Sequence, residues 1–187
     1  NTRASEIIND LLYCKGKQKV IVLADGNRKD DIEKEIAERL ADTIERENSL
    51  LWEQYKDLSF SKRHAMYSKK RLKMNVVYLV REGDIFSSKQ LHDISLESAK
   101  TVIILGDDLK SRDNNNTDSA TNEYSKGNVQ TIKTLMQVSD ITASEVSADN
   151  QKIIVEITDE WTAEIVDRII EYKQVDGKCN IVPVKIN

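Results

Sequence analysis

Hydrophobic positions along this chain follow two different periods. Four short apolar runs, Val20–Asp25 (VIVLAD), Val76–Asp84 (VVYLVREGD), Thr101–Asp108 (TVIILGDD) and Ile153–Glu160 (IIVEITDE), lack polar alternation, and each ends in a carboxylate. β-Branched runs of this kind predict strands buried on both faces, as in parallel sheets. Between them the apolar residues recur at helical spacing, with a shorter pattern after the Val76 run. Strands alternating with amphipathic helices predict an open α/β sheet with helices on its faces. In such sheets ligands bind outside the carboxyl ends of the strands, so the terminal acids line the expected functional edge.

The pattern resolves into elements. A helix is expected from Thr2 to Cys14 on the stripe Ile7, Ile8, Leu11 and Leu12, closed by Gly16. Strand Lys19–Ala24 follows, with Asp25-Gly26-Asn27 as a turn that can cap the next helix. That helix runs from Arg28 to about Tyr55 on Ile32, Ile36 and Leu40. A break is expected near Asn48-Ser49, with Leu50, Leu51 and Trp52 continuing the stripe beyond it. Strand Asn75–Val80 leads to a short helix at Ser87–Asp93, a connector at Ser95–Lys100 and strand Thr101–Leu105. A polar loop at Lys110–Thr121 precedes a helix from about Asn122 to Val138 carrying Val129, Ile132, Leu135 and Met136. Strand Lys152–Ile157 precedes helix Glu160–Tyr172, with Trp161, Ile165 and Ile169 expected to be buried, and strand Asn180–Val184 closes the series. The opening residues Asn1-Thr2-Arg3-Ala4, without a starting Met, enter a helix directly. In a dinucleotide fold that helix follows the first strand, so the chain reads as a fragment lacking that strand.

Composition narrows the classes. The chain has 187 residues, enough for a single domain with a real core, and 32% are charged against 5% aromatic. The net charge is -4, which does not suggest general nucleic-acid binding. No stretch approaches the ~20 apolar residues of a membrane span, and no secretory signal is visible. Cys14 and Cys179 fit no metal spacing and read as small buried hydrophobes.

One stretch departs from the acidic average. About residues 56–73 form a basic insertion, with Lys56, Lys62, Arg63, His64, Lys69, Lys70, Arg71 and Lys73 interleaved with Phe60 and Tyr67 just after Tyr55. Such a segment can contact RNA or anionic lipid. It can equally be a solvated helical insertion that packs against the acidic face of the preceding helix.

Three passages carry a family resemblance: VIVLAD at Val20–Asp25, GDIFSSKQLHDISLESAKTVIILGDD at Gly83–Asp108, and VEITDEWTAEIVDRIIEYKQVDGKCNIVPV at Val155–Val184. They resemble the regulatory domain of the Castor/Pollux ion channels, a relative of the RCK and TrkA-N domains. The connector ISLESAKTVIIL is similar to a recurring RCK passage. The resemblance implies a Rossmann-like, doubly wound, three-layer parallel sheet over residues 1–187. It also implies a place on the cytoplasmic face of a membrane, attached to a cation-channel pore domain. Homo-oligomers, as a dimer or a gating ring, are implied too, with NAD(H), another adenine nucleotide or Ca²⁺ as ligand and no nucleic acid. Two departures stand out: no glycine-rich phosphate turn is visible, and the RCK C-terminal lobe is absent.

The candidate chemistry lies in the edge acids. Asp25 and Gly26 stand where a dinucleotide fold places the acid that bonds the ribose hydroxyls, about 20 residues after its glycine motif. Asp25 can as well start a turn or cap a helix. Glu82, Asp84 and Asp107 are further candidates for nucleotide contact. Asp84, Asp107, Asp108, Glu156 and Asp159 are the hard oxygen donors that would suit Ca²⁺ if they converged. Each can instead cap a helix N-terminus, a role that Asp84 and Asp159 fit well. His64 and His92 adjoin no nucleophile motif, and no P-loop, GxSxG or HExxH occurs. The reading is a binding and switching module, not an enzyme. The alternatives are an N-terminally truncated NAD-dependent Rossmann enzyme, or a nucleotide-binding adaptor whose basic segment holds RNA or lipid.

Overall fold

The computed structural model describes residues 2–24, 28–106, 120–144, 151–174 and 180–186. The protein is α/β, and its strands form two small sheets, both parallel. The chain divides into two compact units, Asn1–Gly83 and Asp84–Asn187.

In the first unit, helix α1 (Thr2–Asp10) runs into a 3₁₀ turn at Leu11–Tyr13 before strand β1 (Gln18–Ala24). Gly16 lies between them with φ +83°, a conformation that favours glycine. Asn75 fastens the same bend, donating from Nδ2 to the Cys14 carbonyl at 2.8 Å and the Gly16 carbonyl at 3.2 Å. Helix α2 (Lys29–Gln54) and helix α3 (Phe60–Lys70) lead to strand β2 (Val76–Glu82), which pairs with β1 in register Ile21↔Leu79. Asp30 and Asp31 in the first turn of α2 complement the helix dipole.

The stripe Ile32, Ile36 and Leu40 is buried as expected, against Ile8, Leu12, Ala24, Val76 and Val80. Three expectations fail. The sheet is not buried on both faces: alternation turns Val20, Val22 and Tyr78 toward the helices and leaves Ile21, Val77 and Leu79 exposed on the other side. Helix α2 does not break at Asn48-Ser49. The Asn48 side chain instead clasps the chain ahead of β2, donating to the Leu72 carbonyl at 3.0 Å and accepting from its N–H at 2.8 Å. Two such bonds outweigh the few tenths of a kcal/mol, up to ~0.7, that Asn costs within a helix. Past this point the stripe leaves the core, and Leu50 is 61% exposed. Cys14 is an exposed free thiol rather than a buried hydrophobe; Cys179 lies outside the described residues.

In the second unit, short helix α4 (Ser88–Asp93) and a 3₁₀ turn at Leu96–Ser98 precede strand β3 (Thr101–Ile104). Helix α5 (Ala120–Ser144), strand β4 (Lys152–Ile157), helix α6 (Glu160–Gln174) and strand β5 (Asn180–Lys185) complete it, with strand order β3-β4-β5. Ile153, Val155, Ile157 and Ile181 are buried, as are Leu135, Val138 and Ile141 of α5 and Ala163 and Val166 of α6. On the opposite side of the sheet Ile103 and Val184 are exposed. Pro183 lies inside β5, an outer strand of this sheet, where a missing N–H is tolerated.

Helix α6 presents a different stripe from the expected one. Trp161 is 53% exposed, while Thr162, Ala163 and Val166 are buried. In α5, Leu135 is fully buried but Met136 is exposed, and the buried set includes Thr131, Thr134 and Thr142. The polar loop expected at Lys110–Thr121 lies almost wholly outside the described residues.

Candidate functional site

The carboxyl end of β4 holds a buried carboxylate. Glu156 is only 8% exposed, and its Oε2 accepts the Gly106 N–H at 2.7 Å just after β3 ends. The bond ties neighbouring strand ends together, and a charged acceptor makes it stronger than a neutral one. A Cβ on residue 106 would lie 3.1 Å from Thr158 Cγ2 and 3.3 Å from Glu156 Oε2, so those side chains would have to give by a few tenths of an ångström.

Three residues after Glu156, Asp159 caps α6. Its Oδ1 accepts the Thr162 N–H at 2.9 Å, and its Oδ2 accepts the Thr162 hydroxyl at 2.6 Å. Both carboxylate oxygens are therefore engaged, and the cap turns Thr162 inward.

Asp84 does not cap α4 as expected. Its Oδ1 accepts the Phe86 N–H at 2.8 Å, an Asx-type turn, and the cap is Ser87, which accepts from the Gln90 N–H. In the first unit Glu82 is exposed at the end of β2, beside the Gly83 N–H that bonds the Ala24 carbonyl at 3.0 Å. Asp25, Gly26, Asp107 and Asp108 lie outside the described residues.

Among the described residues, no three His, Cys, Asp or Glu side chains converge as a metal site. Glu156, Asp159 and Asp84 each serve the backbone instead, so a Ca²⁺ site would have to draw on Asp107 and Asp108. His92 faces Glu97 across 3.5 Å, and His64 lies against the Phe60 ring, so each histidine has a local neighbour.

Two features escaped sequence reasoning. Gln151, buried just before β4, donates from Nε2 to the carbonyls of Leu96 and Ala99 at 2.7 and 2.8 Å, pinning the turn that feeds β3. Ser95 opens that turn at φ +58°. A glutamine bordering a strand carries no pattern that announces this role. The second is Arg63 of α3, whose Nε and Nη2 donate to the Trp52 carbonyl at 3.0 and 2.8 Å and cap the last turn of α2. Its guanidinium sits 4.0 Å from the Trp52 ring centroid, and Tyr67 meets the same ring edge-on at 5.3 Å. The interleaved basic and aromatic residues were the available signal.

Two open grooves flank α2, one of about 480 Å³ beside Asn9, Glu35 and Arg39, the other of about 630 Å³ between Asn48, Trp52 and Tyr67. Neither is lined by the strand-end acids. No family model matches the chain. No curated protein matches it either. Among the described residues no helix is long and apolar enough to cross a membrane.

Proposed function

We propose that the chain is the ligand-sensing regulatory domain of a cation channel, on the cytoplasmic face of the membrane. Nucleotide, or Ca²⁺ with Asp107 and Asp108, would bind at the carboxyl ends of the strands and bias pore gating in a homo-oligomer. The finer fold reading goes with it: a Rossmann-like, three-layer, doubly wound sheet lacking its first strand. One observation carries this. The strand orders β2-β1 and β3-β4-β5 are those found on either side of the first strand in the order 3-2-1-4-5-6, and among the described residues β1 and β3 each have a strand partner on one side only. The resemblance of the strand-end passages supports the channel assignment, and the buried Glu156–Gly106 bond supports a strand edge shaped for more than capping.

Thermal melts with NADH, AMP or Ca²⁺ test the function. A ligand that binds only the folded chain stabilises it by about 2.7 kcal/mol at a hundredfold excess over Kd. Asp25→Asn should abolish a nucleotide effect and spare a Ca²⁺ effect, and Asp107→Asn should abolish a Ca²⁺ effect. Turnover of a substrate with NADH would replace the reading with an enzyme. Failure of all three ligands to move the melt at saturating concentration would reject sensing by these residues.

A further inference from the structure

From Leu58 through Arg81 the sequence contains no acidic residue but holds Lys62, Arg63, Lys69, Lys70, Arg71, Lys73 and Arg81, in a protein of net charge -4. Helix α3 lies in this stretch and has no buried residue. Its cations divide into two groups. Arg63 is spent on the Trp52 carbonyl and ring, and Lys70 lies over the Tyr55 ring at 5.6 Å. Lys62 and Lys69 are exposed, stand two turns apart on the outer side of the helix, and have no side-chain partner among the described residues. The same is true of Arg71 and Lys73, which follow the helix. Glu53 of α2 lies 3.9 Å from Arg63, and among the described residues no acid of α2 pairs with these four cations. Phe60, 75% exposed at the start of α3, lies about half a turn round the helix from Lys62 and Lys69, and Leu58 is exposed just before it.

We infer that α3 and the residues that follow it dock on an anionic lipid bilayer. Lys62, Lys69, Arg71 and Lys73 would meet the headgroup phosphates and carboxylates. The charge is complementary to such a surface, which attracts clustered lysines and arginines. Single-stranded RNA is the other polyanion of this chemistry, and the rings argue against it. Non-specific strand binding relies on open aromatic faces on which bases stack. Here Trp52 is covered by Arg63 and in T-shaped contact with Tyr67, Tyr55 lies under Lys70, and Phe60 alone makes no run of stacking platforms. The inference stands on the charge and burial of α3 and does not depend on the strand-edge reading.

Co-sedimentation of the chain with phosphatidylcholine vesicles, with and without phosphatidylserine, tests it, alongside binding to a single-stranded oligouridine. Binding is expected only to the serine-containing vesicles and should weaken as salt rises. Lys62→Ala with Lys69→Ala should reduce it roughly five-fold per lysine, about thirty-fold together, while folding, followed by circular dichroism, stays unchanged. Phe60→Ser, about half a turn round the helix from the lysines, should leave vesicle binding unchanged. Lys34→Ala, at an exposed lysine of α2 that faces Glu38, is the control and should change nothing. The proposal is overturned by equal binding to both vesicle types, by binding to neither, by oligouridine binding without vesicle binding, or by a double variant that binds as tightly as the parent.

Discussion

Acids end the strands of both units, yet the two units use them differently. In the first, Glu82 is left to solvent, and the sheet is held by apolar side chains of α1 and α2 pressed on one face. In the second, Glu156 is buried on the Gly106 N–H, Asp159 is doubly engaged by Thr162, and Gln151 holds the turn ahead of β3. The difference teaches that position at a strand end does not set a carboxylate's role. What sets it is whether backbone donors stand ready nearby, because burying a charge without them costs several kcal/mol. Amide hydrogen exchange reads each unit separately and can therefore test the contrast.

The largest effects should be apolar and shared by both units. Leu40 and Ile153 are fully buried, so Leu40→Ala should cost the first unit about 2–5 kcal/mol and Ile153→Ala should cost the second a similar amount. Leu50→Ala, on the same helix as Leu40 but exposed, should stay within about 0.5 kcal/mol. A large loss at Leu50 would mean that the far half of α2 is packed after all.

Smaller effects should separate the units. Glu156→Ala should cost about 1–3 kcal/mol, because it leaves the Gly106 N–H without its acceptor. Glu82→Ala, at an exposed site, should cost less than about 0.5 kcal/mol. Equal losses, measured by urea denaturation, would break the comparison. Within the second unit, Asp159→Ala should remove a true helix cap and cost about 1 kcal/mol. Asp84→Ala should cost less, since Ser87 caps α4 and remains.

These roles also show what could be read from the residues. The strands were legible because apolar β-branched runs bounded by turn residues leave little alternative. The Ile32, Ile36 and Leu40 stripe was legible because its spacing is helical throughout. The α5 stripe was less so, because Thr131, Thr134 and Thr142 lie on its buried side; Thr134 can be buried because its hydroxyl donates to the Gln130 carbonyl at 2.9 Å. Trp161 misled because its helical spacing from Ile165 and Ile169 suggested one buried stripe, whereas Thr162 and Ala163, next to the Asp159 cap, are the residues that face inward. Burial on both faces was over-read, since sequence reports that a strand is apolar but not which elements arrive to cover it. The candidate site was half legible: the acids were found, but their bonds depend on Gly106, Thr162 and Phe86, whose donors are backbone groups or a single hydroxyl.

The smallest effect belongs to a tyrosine in the first unit and turns on pH. Tyr78 on β2 has its phenol pushed above the ordinary value of 10.0, first by burial and then by the nearby carboxylate of Glu33 on α2. In the unfolded chain the phenol ionises at its ordinary value, whereas in the folded chain it holds its proton longer. Its contribution to stability is therefore present in full below about pH 10 and is lost as pH rises through the folded value. Tyr78→Phe should flatten the decline in stability above about pH 10 while changing little at neutral pH. Glu33→Gln should flatten it less, because burial is the larger cause. Urea midpoints across the alkaline range decide the matter. An unchanged slope in Tyr78→Phe would assign the alkaline loss to other groups of the unit, and an equal effect in Glu33→Gln would make the carboxylate, not burial, the main cause.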